Sequence, residues 1–115
     1  MEFTRELVIK KINQIFPKKD LVRILDILDL YGVNQYEPVR ERVQLAVLKL
    51  CEGKEDEVRK LIELAKIDHC EDVLWPAEEP FLSKIKRIDI IKMSEEEIKR
   101  IQEKDRKQYL GWLNS

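Results

Sequence analysis

The sequence predicts an all-α fold, a compact single-domain bundle of five or six helices spanning residues 1–115 and built from antiparallel helix hairpins. Three observations predict it. Apolar residues recur three and four apart along most of the chain, the spacing of one helix face. Glycines (3) and prolines (4) are few and stand mostly at the ends of these periodic runs. Hydrophobic residues make up 43% and charged residues 39%. That balance suits a core under a solvated helical exterior and argues against disorder.

The elements follow in order. Residues 2–16 carry Phe3, Leu7, Val8, Ile12, Ile15 and Phe16 on one helical face. Pro17 drives Phe16 towards extended backbone and ends that helix. It also suits the first position of the next one. In residues 20–31, Asp20, Arg23, Asp26 and Asp29 recur every third position among apolar residues. This pattern predicts a narrow wet stripe on the most buried helix of the fold, with Leu25 and Leu28 inside. Gly32 stops it, and Tyr31 and Tyr36 pin the turn that follows.

Pro38 opens a third helix whose inner face is Val39, Val43, Ala46, Val47 and Leu50, widened by Leu45 and Leu48. Gly53 ends it. The fourth helix buries Val58, Leu61, Ile62 and Ala65, with Ile67 a further inner position. Its acidic first turn and later lysines complement the helix dipole. The short link between the two makes an antiparallel hairpin. Asp68 and Glu71 read as a capping box for a short segment over 69–75, which Pro76 and Pro80 keep from growing. Residues 81–93 admit either a helix or an extended run. Ser94 and Glu97 form a capping box for a last helix carrying Ile98, Ile101, Tyr109, Trp112 and Leu113.

Formal net charge is −1, from 22 Lys and Arg against 23 Asp and Glu. So even a balance supplies no global field for nucleic acid or an anionic membrane. No apolar run approaches the ~20 residues of a membrane helix, and the N-terminus lacks the layout of a signal peptide. The expectation is a cytoplasmic protein that contacts no membrane, with nucleic acid a less favoured partner than protein.

The stretch "IDHCEDVLWPAEEP" holds the only histidine. His69, Cys70, Glu71 and Asp72 are all ligand-capable, but adjacent helical side chains diverge by about 100°. Four in a row cannot close on one ion, and His69 beside Cys70 is not expected to form a dyad. Cys51 and Cys70 stand at opposite ends of a helix roughly 23 Å long, too far apart for a disulfide. The reading is that Asp68 and Glu71 cap, Val73, Leu74 and Trp75 fill the core, and His69 lies at the surface. No nucleophile, phosphate-loop or metal motif appears, so no catalytic residue, metal or cofactor is implied.

Three blocks, "RVQLAVLKLCEG", "DHCEDVLWPAEEP" and "EKDRKQYLGWL", resemble a family of small uncharacterised bacterial proteins of unknown function. That family combines D-V-L, an aromatic residue and A-E with a C-terminal helix bearing Q-Y and a late W-L. The resemblance covers about a third of the chain and implies an all-helical body with no activity to carry over. Pro76 after Trp75, and His69-Cys70 in place of an aromatic–basic pair, depart from the pattern and bear on the length of the short helix.

The function expected is a non-catalytic protein-interaction module, acting on an unknown protein partner or as a homo-oligomer. Candidate contact residues are Tyr109, Trp112, Trp75 and His69. A nucleic-acid-associated protein using the basic patch Lys84, Lys86, Arg87 and Lys92 is the alternative. A small enzyme centred on Asp68, His69 and Asp72 is the third reading.

Overall fold

The structure, a computed structural model, describes residues 3–115. Among the described residues every regular element is helical, and no strand occurs. Helix α1 (Arg5–Ile15) starts where the Thr4 hydroxyl accepts the Leu7 amide at 3.2 Å, satisfying one of the free N–H groups of a first turn. Glu2, the expected first residue of this helix, lies outside the described residues. Val8 and Ile12 are fully buried. Phe16 is extended, as Pro17 requires.

A single tight turn (Lys18–Asp20) leads into α2 (Leu21–Leu28). Ile24, Ile27 and Leu28 face inward. The helix ends three residues before Tyr31, and it is not the most buried one. Val22 is 69% exposed, Leu30 is 50% exposed, and Leu25 is only half-buried. The wet face of α2 is therefore broader than its polar residues mark out. The enclosed element is α3 (Arg40–Leu50), where every residue from Val43 to Leu48 is buried. It packs on α1, on α4 (Glu55–His69) and on the segment that follows α4, so it has neighbours on all sides.

The turn before α3 is held by side chains. The Tyr31 hydroxyl donates to the Pro38 carbonyl at 2.9 Å, and Glu37 accepts the Gly32 and Asn34 amides. Tyr36 points outward and is 79% exposed. Gly32 sits at φ +95°, and a Cβ there would overlap the Arg40 side chain. Between α3 and α4, Glu52 and Gly53 both take positive φ. Val58, Leu61, Ile62 and Ala65 are buried, but Ile67 is 81% exposed and off the inner face.

At Asp68 the backbone leaves the helix (φ −150°, ψ 90°). A wide helical turn (Cys70–Leu74) follows and runs on into α5 (Trp75–Glu78). Pro76 does not stop this segment, because it occupies the first turn of α5, where no N–H is needed. The break falls at Glu79 instead, and Pro80 opens α6 (Pro80–Ser83). Val73 and Leu74 fill the core as expected. Trp75 does not: it is half-buried, and its Nε1 donates to Glu79 at 2.9 Å.

Residues 81–93 resolve as two short helices, α6 and α7 (Arg87–Lys92), separated by a turn. Only Leu82 among their apolar residues is buried. The chain therefore has more helical segments than the five or six expected, because 70–92 breaks into short pieces. Helix α8 (Glu95–Asn114) is capped by Ser94, whose hydroxyl accepts the Glu97 amide at 3.2 Å. Glu97 reaches back to that hydroxyl, not to the Ser94 amide.

One continuous core joins α1 to α5 with the end of α8. The buried residues of α8 are Asp105, Tyr109 and Leu113, all in its second half. Its first ten residues, roughly 15 Å of helix, and α7 bury no residue. The described residues measure 47 × 29 × 24 Å overall.

Candidate binding cleft

The second half of α8 is docked by charged side chains that the apolar pattern does not announce. Tyr109 and Trp112 stack at 5.8 Å, nearly parallel. Lys11 lies 4.6 Å from the centre of the Trp112 ring, and Lys49 lies 5.1 Å from that of Tyr109. Both are cation–π contacts. Lys11 is 1% exposed. Its ammonium donates to Gln14 at 2.9 Å, to the Ser115 hydroxyl at 2.8 Å and to the Trp112 carbonyl. That carbonyl belongs to the last turn of α8, where a cation complements the helix dipole. Lys49 donates to the Ala77 carbonyl at 2.6 Å and to Gln108 at 2.7 Å. Burial pushes both lysines below their usual pKa. Asp105, fully buried, accepts the Phe81 and Leu82 amides and so binds the start of α6 to α8.

Beside this dock lies a cleft of about 530 Å³. Phe3, Leu110 and Leu113 form its apolar wall, and Arg42, Glu78, Glu79, Gln102 and Arg106 its polar one. Glu78 holds Arg42 with two hydrogen bonds, at 2.7 and 2.6 Å, and raises its pKa. Tyr109 also lines the cleft. It is 6% exposed, and its hydroxyl has no hydrogen-bond partner. Burial, then the charge of Glu78, pushes that phenol far above its usual pKa, so it stays a protonated donor. A buried donor without an acceptor costs about 1–3 kcal/mol, which makes this hydroxyl the most conspicuous unmet group near a cleft.

The other residues singled out in the sequence are dispersed. Asp68 does cap: its carboxylate accepts the Cys70 and Glu71 amides, each at 3.1 Å. Glu71 does not complete the box, because its side chain pairs with Arg87. His69 is half-buried, with its ring 6.4 Å from that of Tyr31. Its Nε2 meets the Cys70 thiol at 3.4 Å. The divergence expected of neighbouring helical side chains fails here because the backbone leaves the helix at Asp68. Asp72 lines a separate cleft of about 480 Å³ with Glu71, Trp75 and Lys84, which His69 does not reach. Asp68, His69 and Asp72 thus do not converge. Among the described residues no three His, Cys, Asp or Glu side chains are placed to hold a metal ion. Cys51 is buried and Cys70 exposed, both as free thiols. Lys84, Lys86, Arg87 and Lys92 are all exposed on the turn before α7 and on α7 itself.

Sequence reasoning missed one further cluster. Arg5 grips Asp29 through two hydrogen bonds, at 2.9 and 2.7 Å. Arg40 at 2.7 Å and Gln44 at 3.2 Å join the same carboxylate. These contacts, Arg5 first, hold Asp29 down to a pKa of about 2. Asp29 ties α1, α2 and α3 together, so its position in the regular polar series of α2 is not a mark of solvation. Gln44, a lone amide in an apolar run, is the one local hint.

No family model matches the chain, and neither a curated protein nor a solved structure does. Among the described residues, no helix is long and apolar enough to cross a membrane.

Proposed function

We propose that this chain is a non-catalytic protein-interaction module of a bacterial cytoplasm, and that α7 is its contact element. The observation that carries this reading is that α7 buries none of its residues. Ile88 is 61% and Ile91 82% exposed, and Phe81 on the preceding helix α6 is 61% exposed. Exposed apolar side chains close together on one short helix are the ordinary mark of a protein contact. A partner that covers them gains the burial of the part the monomer leaves exposed. A second use of the same region, phosphate binding by Lys84, Lys86, Arg87 and Lys92, has less support. Arg87 is committed to Glu71, and Asp89 sits among the cations.

The test compares the parent with Ile88→Asp/Ile91→Asp. Neither side chain is buried, so the variant is expected to melt with the parent. Sedimentation at rising concentration measures self-association, and affinity capture from expressing cells measures a foreign partner. A dimer or a captured protein that the variant loses supports the reading. Monomeric behaviour throughout, with identical proteins captured by both forms, refutes it.

A further inference from the structure

A second feature, independent of α7, points to a small ligand. We propose that the Tyr109 cleft binds a small amphipathic carboxylate, with its anionic head bridging Arg106 and the Tyr109 hydroxyl and its apolar body lying on Phe3, Leu110 and Leu113.

The charges of the cleft favour an anion in one place only. Glu78 is consumed by Arg42, with both of its oxygens engaged. Glu79 accepts the Trp75 indole N–H. Arg106 is exposed and, among the described residues, has no ion pair. The free positive charge of the cleft is therefore Arg106. It stands three residues before Tyr109 on α8, and side chains at that spacing are neighbours on one helix face. A carboxylate has two oxygens, and a guanidinium and a phenol that share a face can take one each. The phenol remains protonated at neutral pH and has no partner within the protein, so its O–H is free to donate to a ligand oxygen. The hydroxyl is closed from solvent, so ligand binding requires the cleft floor to open.

The remaining wall sets the rest of the ligand. Leu110 and Leu113 lie on the same helix as Arg106 and Tyr109, and Phe3 faces them across the cleft. A volume of about 530 Å³ falls within the usual range of small-molecule sites, which combine apolar walls with a few fixed polar groups. A straight-chain or aromatic monocarboxylate fits that description. A polyanion does not, because Glu78 and Glu79 border the site.

The experiment titrates octanoate and phenylacetate into the full chain and follows backbone amide resonances, with octan-1-ol as the uncharged control. Shifts centred on Phe3, Tyr109 and Leu110, with octanoate or phenylacetate binding more tightly than octanol, are expected. Arg106→Gln should weaken carboxylate binding by roughly tenfold or more. Tyr109→Phe removes only the unmatched hydroxyl, so it should fold and still lose carboxylate affinity. If neither carboxylate perturbs the cleft at about 20 mM, an affinity at the weak limit of useful binding, the proposal is overturned. Carboxylate binding that survives both substitutions, or that octanol equals, overturns it as well.

Discussion

Replacing Asp29 with asparagine tests the junction of α1, α2 and α3. The side chain is 28% exposed, and its two arginine partners are 39% and 37% exposed. Its pKa falls from 3.8 to about 2, which corresponds to about 2 kcal/mol of native stability at neutral pH. The sign follows from the depressed value. Above the unfolded-state pKa of 3.8 the carboxylate is charged in both states, and the contribution is complete. As pH falls towards the folded-state value of about 2, the unfolded chain takes up the proton first, and the contribution disappears. Asparagine keeps the shape and never carries the charge. Asp29→Asn should therefore be less stable than the parent by about 2 kcal/mol at pH 7 and by about half of that at pH 3. Urea unfolding of both proteins at several pH values measures the difference directly, provided the slopes agree. Taking the difference removes the titration of every other carboxylate. A gap that stays constant from pH 7 to pH 3 would refute the network as the source of the low pKa.

Leu28 is fully buried and Leu25 only half-buried. Leu28→Ala should cost about 2–5 kcal/mol by urea unfolding, and Leu25→Ala clearly less; equal losses would contradict the placement of α2. A thiol reagent should modify Cys70 in the native protein and Cys51 only after unfolding, because Cys51 is buried and its thiol is pushed above its usual pKa by that burial. Reductant should leave the melting temperature unchanged; two thiols reacting at one rate would show that α3 and α4 do not cover Cys51.

Features that depend on near neighbours in sequence are legible without a structure. The Ser94 cap, the α3–α4 hairpin and most of the inner faces of those helices follow from spacing. Val39 and Ile67, expected inside, are 48% and 81% exposed, because α3 begins only at Arg40 and Ile67 falls off the inner face. What fails is whatever depends on a distant partner. Asp29 belongs to a series of polar residues at every third position, yet it meets Arg5, 24 residues away, and that contact makes the α2 terminus a junction. Lys11 and Asp105 sit in runs of charge that read as solvated, and both are buried. Asp105 accepts backbone amides of α6, and Lys11 reaches the Trp112 carbonyl and the Ser115 hydroxyl at the far end of the chain, partners that no local pattern encodes. Trp75 reads as core because it is large and apolar, but its indole N–H needs an acceptor and finds Glu79 at the rim. The Tyr109 cleft is invisible for a further reason: it is assembled from the N-terminal segment, α3, the α5 end and α8, and no two of these are adjacent in sequence.

The Lys11 clamp is also a contact of very long sequence separation, a kind that is slow to form. Lys11 and the Ser115 hydroxyl are 104 residues apart, so their meeting closes a loop of almost the whole chain. Such a closure costs more entropy than the tight turn between α3 and α4, and contacts of long sequence separation form late. The last turn of α8 meets α1 through Lys11, whereas the rest of its packing is mainly on α5 and α6. Opening runs in reverse: release of Lys11 frees α8 from its last turn while α3 and α4 remain paired. Amide hydrogens in α8 should then exchange faster than those of α3, and equal rates would mean that the two ends of the chain unfold with the core as one unit.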